Sequence, residues 1–315
     1  MDSTGSFWLP PQSSTMAGEV DALFNFILYT STVFFAIVVF GVIFFGLRYR
    51  RRGKTGLTTG KDHNLILEIT WTAIPTVLIM IVFFWGFKDY MRQTVAPAHA
   101  IEVKVTGQKW FWTFDYPEGA NAVNELVVPV SKPIKLLMSS TDVIHSFFVP
   151  NFRIKMDVLP NRYSVSWFEA TREGEYDLYC TEFCGKGHSE MIGKVKVVSD
   201  SAYAAWLEAS TVLGEGLTLE EYGEQLYTSK ACVTCHTLDG SRLEGPGFLG
   251  RFGSEVLMSD GSRVLMDENY MRESILNPKA KVANGYQPVM PTFQGVLKDR
   301  QVDALIAYIK MLNQK

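Results

Sequence analysis

At 315 residues with 47% hydrophobic side chains, the chain can build two modest domains, each burying its own core, with a further segment to spare. Its 30 Lys and Arg against 33 Asp and Glu leave a net charge of −3, which lacks the basic footprint of a nucleic-acid binder, so no nucleic-acid partner is expected. All four cysteines fall within two short motifs, CTEFCGKGHSEM and ACVTCHT.

Residues 1–21 form an N-terminal segment with Asp2, Glu19 and Asp21 and no basic residue. Ala22 to Leu47 carries no charge and exceeds the roughly 20 apolar residues that cross a bilayer. Ile69 to Phe87 is a second uncharged stretch; it contains Pro75, which membrane helices tolerate better than soluble ones. Residues 22–90 therefore read as a two-helix transmembrane hairpin, the alternative being a pair of buried core helices. The connecting loop, 48–62, holds Arg48, Arg50, Arg51, Arg52, Lys54 and Lys61. The positive-inside rule makes it cytoplasmic, so the N-terminal segment and everything after about Tyr90 face outward. An acidic flank and a long apolar run make the first span a poor signal peptide.

From Ile101 the pattern changes to period two. Ile101, Val103 and Val105 alternate with Glu102, Lys104 and Thr106, and ELVVPV, KPIKLLM, RYSVSWFEA, EYDLYC and MIGKVKVV follow between Pro, Gly or Asn. Residues 91–200 are thus expected to form an all-β sandwich. SAYAAWLEAS is a helical exit within a linker over 201–216. In the final unit, 217–315, LTLEEYGEQLYTSK is helical up to ACVTCHT. Val302, Leu305, Ile306 and Ile309 recur at helical spacing in a closing amphipathic helix.

Cys180, Cys184, His188 and Met191 offer soft sulfur and imidazole donors within a dozen residues, the set that favours copper. Two bridging thiolates would hold two copper ions, which then need a second imidazole. His145, in the extended segment TDVIHSFFVP, is the candidate, since His63 lies in the basic loop, His99 near the membrane exit and His236 in the second motif. The alternatives are a Cys180–Cys184 disulfide and zinc, which leaves Met191 without a role. A single-copper blue site uses one cysteine, and the second argues against it.

TDVIHSFFVP, IKMDVLPNRY and YDLYCTEFCGKGHSEM, together with LEITWTAIPT and GQKWFWTFDY, resemble subunit II of haem–copper cytochrome c oxidases over roughly residues 20–198. The resemblance implies a cupredoxin-like sandwich with a dinuclear CuA centre. Cys180 and Cys184 would bridge the coppers, His145 and His188 would each bind one, and Met191 and the main-chain carbonyl of Glu182 would be weak ligands. It also implies a magnesium ion held by the Glu182 carboxylate at the contact with subunit I. Trp110 would be the exposed aromatic through which electrons reach CuA, the alternative being a core or rim tryptophan. Glu68, at the cytoplasmic start of the second span, would mark the mouth of a proton pathway, the alternative being an interfacial solvated carboxylate.

In ACVTCHT, Cys232, Cys235 and His236 form the C-x-x-C-H pattern that attaches a c-type haem, with His236 as proximal ligand. No histidine follows, so a sixth ligand from this unit is a methionine: Met258, Met266, Met271, Met290 or Met311. Met290 lies in QPVMPTF, whose prolines stiffen the chain around it. Residues 217–315 resemble an all-α class I cytochrome c, and VMPTF matches the loop of its distal ligand. Met290 is the expected ligand, the alternative being a packing methionine.

A subunit II with its own cytochrome c resembles the caa3-type oxidases. This implies electron flow from haem c to CuA and on to subunit I, where oxygen is reduced to water with proton pumping. Further implications are a place in the cell inner (plasma) membrane with both outer domains on the periplasmic side, and an upstream donor, either a quinol-oxidising complex or a cytochrome c. The runner-up is a stand-alone membrane-anchored electron carrier. A nitrous oxide reductase would need a large catalytic domain that this sequence lacks, and a copper chaperone would have no use for the haem unit.

Overall fold

A computed structural model of the chain describes residues 5–50, 53, 60, 63–211 and 216–314. Arg51, Arg52, Lys54 and Lys61 of the expected cytoplasmic loop lie outside the described residues. Two long helices, α1 (Ala17–Arg48) and α2 (Leu65–Thr94), contain the two expected spans and run beyond them at both ends. Both keep their apolar stretches exposed, as helices meeting lipid or another membrane subunit must. Asn64 caps α2 by accepting from the Leu67 backbone N–H.

The sandwich consists of β1 (Ile101–Gln108), β2 (Phe111–Asp115), β3 (Asn121–Val123), β4 (Glu125–Pro129), β5 (Pro133–Ser140), β6 (His145–Val149), β7 (Ile154–Val158), β8 (Ser164–Glu169), β9 (Gly174–Cys180) and β10 (Ile192–Val198). One sheet runs β3-β2-β1-β5-β8 and the other β4-β10-β9-β6-β7. The alternation read from the sequence is the alternation of burial: Val103 and Val105 on β1 point inward, and Leu136 and Met138 on β5 do the same. Trp112, Phe114, Phe147 and Phe168 fill the space between the sheets. β7 was not expected as a strand; it pairs antiparallel with β6, setting His145 opposite Val158.

The sandwich is fastened to the hairpin. Arg153 donates to both carboxylate oxygens of Asp21 on α1, at 2.7 and 2.9 Å, in a pair almost wholly out of water. The Trp167 indole N–H donates to the Arg92 carbonyl at the end of α2, at 2.9 Å. Before α1, Ser13 and Thr15 make backbone hydrogen bonds to Asn151, Thr171 and Glu169, so the N-terminal segment lies on the sandwich.

The first part of the expected linker is a helix, α3 (Asp200–Thr211), as its sequence suggested. Tyr203 and Trp206 pack on Tyr116, joining α3 to the sandwich core.

The last unit is built on α4 (Leu219–Ser229), α5 (Glu268–Leu276) and α6 (Asp299–Met311). Thr218 and Glu221 form a capping box at the start of α4. Helices α4 and α6 cross in close contact at Gly223, where a Cβ would stand 2.0 Å from the Ala304 carbonyl oxygen. The unit is helical, with one addition to the all-α expectation: a hairpin of β11 (Glu255–Leu257) and β12 (Arg263–Leu265). Its signal was present in Asp260-Gly261, a turn dipeptide between apolar runs.

Candidate metal centre and haem cleft

Strand β6 places His145 and strand β9 places Cys180 side by side at one end of the second sheet, where Phe147 and Cys180 are register partners. The loop after β9 then turns back to β10 and carries Cys184, His188 and Met191. The Cys180 and Cys184 sulfurs stand 3.8 Å apart as free thiols, so the disulfide alternative is not the arrangement here. The His145 Nδ1 lies 3.9 Å from Cys180 Sγ, the His188 Nδ1 3.5 Å from Cys184 Sγ, and the Met191 Sδ 3.9 Å from Cys184 Sγ. The Glu182 carbonyl oxygen is 3.4 Å from Cys180 Sγ, while its carboxylate side is exposed. Nitrogen and sulfur ligands of a transition metal, at about 2.0–2.3 Å from the ion, stand about 3.3–3.8 Å from each other in a tetrahedral arrangement. The donor spacing therefore fits a metal centre, and its soft sulfur content suits copper.

Electrostatics prepare the cluster. Burial raises the Cys180 thiol, but hydrogen bonding with His145 and with the Glu182 and Ser146 backbones outweighs it and holds the thiol below its ordinary value. Cys184 is pushed up, by burial first and then by the charge of Cys180. The two thiols are thus pushed in opposite directions, Cys180 towards the thiolate and Cys184 towards the protonated form. His145, fully buried, is oriented from behind: its Nε2 pairs with Asp142 Oδ1 at 2.9 Å, leaving Nδ1 to face the sulfurs. Asp142 is in turn fixed by the Lys109 and Val143 backbone N–H groups. Sequence reasoning missed Asp142, although a carboxylate three residues before a candidate ligand histidine is the available signal.

Trp110 departs from expectation. It is 7% exposed, because the loop of Gly185 and Gly187 lies across its indole. A Cβ at Gly187 would stand 2.6 Å from the ring, so only glycine lets the loop approach this closely. The exposed aromatic implied by the resemblance is in this chain a buried neighbour of the copper loop. Glu68 sits in the first turn of α2, half-exposed, 2.8 Å from His63 Nδ1 and accepting from the Asn64 backbone N–H. It is on the membrane-entering end of the helix, remote from the sulfur cluster in sequence and fold.

In the helical unit, Cys232 to Thr234 form a tight turn that follows α4 directly, and the His236 N–H donates to the Cys232 carbonyl at 2.9 Å. Cys232, Cys235, His236 and Met290 line one cleft, walled by Tyr227, Phe248, Ile275, Leu305 and other apolar groups. The His236 Nδ1–H donates to the Pro246 carbonyl at 2.8 Å, which leaves Nε2 as the free lone pair, and desolvation pulls its basicity down so that it stays neutral. Burial pushes the Cys232 and Cys235 thiols up to about 12 and about 11. Two thiols, a neutral imidazole with a free nitrogen and a thioether in an apolar cleft fit a covalent haem with axial His and Met. Of the five candidate methionines, Met258, Met266 and Met271 are core-buried, and Met290 is the one in this cleft.

Soft donors gathered at one end of a sandwich, and a second donor set in a helical unit, suit the movement of single electrons, and the hairpin fixes that work to a membrane. The profile of cytochrome c oxidase subunit II, periplasmic domain, matches residues 120–198, that of its transmembrane domain residues 3–88, and that of cytochrome c residues 220–313. Cytochrome c oxidase subunit 2 of Alkalihalophilus pseudofirmus is 31% identical over 289 residues, covering 88% of this chain and 82% of that protein. Its counterpart in Cereibacter sphaeroides is 30% identical over 243 residues, covering 65% and 80%. The periplasmic domain of subunit II of cytochrome oxidase of Bradyrhizobium japonicum is similar with a TM-score of 0.36 and 33% identity, covering 37% of this chain and 97% of that one.

The chain belongs to the cytochrome c oxidase subunit II family and carries a C-terminal cytochrome c domain. It is a membrane-anchored electron-transfer component of a haem–copper oxidoreductase complex, working with other oxidase subunits, and its two outer domains are of types that use copper and haem c.

Proposed function

We propose that the chain holds a dinuclear copper centre and one covalent haem, and passes electrons from the haem to the copper pair and on to subunit I. Cys180, Cys184, His145 and His188 would hold the two ions, with Met191 and the Glu182 carbonyl as weaker donors. The observation that carries this is the convergence of these donors at 3.4–3.9 Å spacing. When bound, the copper pair and the haem iron each accept and release one electron at a time.

The residues do the rest. Asp142 holds the His145 ring in register, and the buried Cys180–Cys184 edge keeps water from the donors. Pro246 fixes the tautomer of His236, and Cys232 and Cys235 anchor the haem covalently with Met290 across the cleft. The exposed Glu182 carboxylate is free to take a magnesium ion at a contact with subunit I, and Glu68 to collect protons for that subunit. The acidic N-terminal flank and basic inter-helix loop support an outward, periplasmic placement of both domains, with the plasma membrane as the proposed location. An upstream cytochrome c or quinol-oxidising complex reduces the haem. The division proposed is a hairpin over 22–90, a copper domain over 91–200, a connection over 201–216 and a haem domain over 217–315, although α2 itself runs on to Thr94.

Metal and haem analysis of the purified full chain tests the reading. Two coppers and one covalent haem per chain are expected. Zinc in place of copper, or a Cys180–Cys184 disulfide with no metal, would overturn it.

A further inference from the structure

Phe111 is buried, at 4% exposure, yet it belongs to neither hydrophobic core. It is the copper-domain side chain that enters the haem cleft, lining it with Cys232, Cys235 and His236. It opens β2, whose next residue Trp112 turns to the other face of the strand, and it follows Trp110, which lies in the turn before β2. Trp110 lies under the copper loop at Gly185 and Gly187, and Trp112 meets the His145 ring edge-on with 5.9 Å between centroids. Three consecutive aromatic residues therefore face the copper loop, the haem cleft and the His145 ring in turn.

Polar contacts surround this plug. Lys186, in the copper loop, pairs with Glu244 of the haem domain at 2.7 Å. Lys230, two residues before Cys232 and only 8% exposed, crosses to the copper domain and donates to the Asn121 side chain on β3, near the charge of Asp115. A lysine is rarely buried without such partners.

We infer that the two outer domains form a fixed docked pair, in which Phe111 is the anchor and the positioning residue for haem-to-copper electron transfer, while Lys186–Glu244 and Lys230–Asn121 set the register. This rests on the copper and haem reading above and specifies its interface. Docking makes the transfer a first-order step within one geometry rather than a search by a tethered domain. Because Trp110 is buried in the same arrangement, an outside donor reduces the haem and does not reach the copper loop at that tryptophan.

Acylation of lysines in the full chain, read by mass spectrometry, tests the docking directly, with the exposed Lys194 as internal control. Lys230 is expected to label far more slowly than Lys194. Phe111→Ala should raise the Lys230 rate about thirty-fold, the scale of truncating a buried aromatic anchor, whereas Phe111→Tyr should hold it near the original. Glu244→Lys should raise it about two- to fivefold, the worth of a partly exposed ion pair, and adding Lys186→Glu should restore it; this pair decides the matter if Phe111→Ala does not fold. After flash reduction of the haem, its reoxidation by copper should be a single phase in the original chain and in Phe111→Tyr, and acquire a slow phase in Phe111→Ala. Equal labelling of Lys230 and Lys194 in the original chain, or no response to either Phe111→Ala or Glu244→Lys with both cofactors present, would overturn the docked pair alone. Absence of copper or haem from the original chain would overturn the reading beneath it as well.

Discussion

Gly223 sets two ordinary expectations against each other. In the interior of α4, Gly223→Ala should gain about 1 kcal/mol from helix propensity alone. The structure predicts the opposite sign. The new Cβ would stand 2.0 Å from the Ala304 carbonyl oxygen and 2.6 Å from the Tyr308 Cβ, and the first of these is helix backbone that cannot rotate away. Helices α4 and α6 would have to part by more than an ångström, loosening Leu226, Tyr227, Leu305 and Ile309. Overpacking of this kind costs about 3 kcal/mol, so after the propensity gain the domain loses about 2 kcal/mol. For a unit of this size the melting temperature falls by roughly 8–16 °C. Thermal unfolding of the full chain, followed by haem absorption, measures it. An unchanged or higher melting temperature for Gly223→Ala would show that the helices are not in the contact described.

The remaining predictions concern the donors. Met290→Leu should leave haem content intact and lower the haem reduction potential, since Met/His ligation raises it; an unchanged potential would assign Met290 to packing. Met191→Leu should shift the copper absorption and resonance signals without altering haem content, and a silent copper spectrum would remove Met191 from the ligand set. Copper uptake should strengthen as pH rises, because the raised Cys184 thiol must give up its proton to bind; titration of released protons checks it, and a pH-independent affinity would refute it. With copper removed, the Asp142–His145 pair should stabilise the sandwich over a defined window. His145 is raised on balance, because the hydrogen bonds with Asp142 and Cys180 outweigh burial, so its contribution is full below about 6.5 and fades as pH climbs through its raised value. Asp142 is lowered, its hydrogen bonds to His145 and to the backbone outweighing burial, so its contribution is present above 3.8 and fades as pH drops through its lowered value. Denaturant unfolding of Asp142→Asn should differ most from the original chain between those limits, and a constant difference across pH would argue against the pair.

Most of the donors were legible because soft ligands cluster along the chain: Cys180, Cys184, His188 and Met191 follow one another, as do Cys232, Cys235 and His236. His145 was reached by elimination among five histidines, and the sheet explains it, since β6 runs beside β9. The strands were legible wherever one face is buried and the other wet, as on β1. Trp110 was misplaced because its burial depends on a glycine loop far along the sequence, and an indole carries no mark of what will cover it. Asp142 supports a ligand without being one, and Phe111 reads as one more aromatic in a run of them. Both owe their roles to contacts that only the folded chain brings together. The β11–β12 hairpin has three residues to a strand, too few to show a period of two.

The joints at Arg153–Asp21 and Trp167–Arg92 make the sandwich a post set in a footing. Its height above the lipid headgroups is a property of the hairpin, not of the short stretch between Thr94 and Ile101. Bilayer thickness or helix tilt would then carry the sulfur cluster as one piece with α1 and α2. The gap to an acceptor held by neighbouring membrane helices stays constant as long as those helices lean together with this pair.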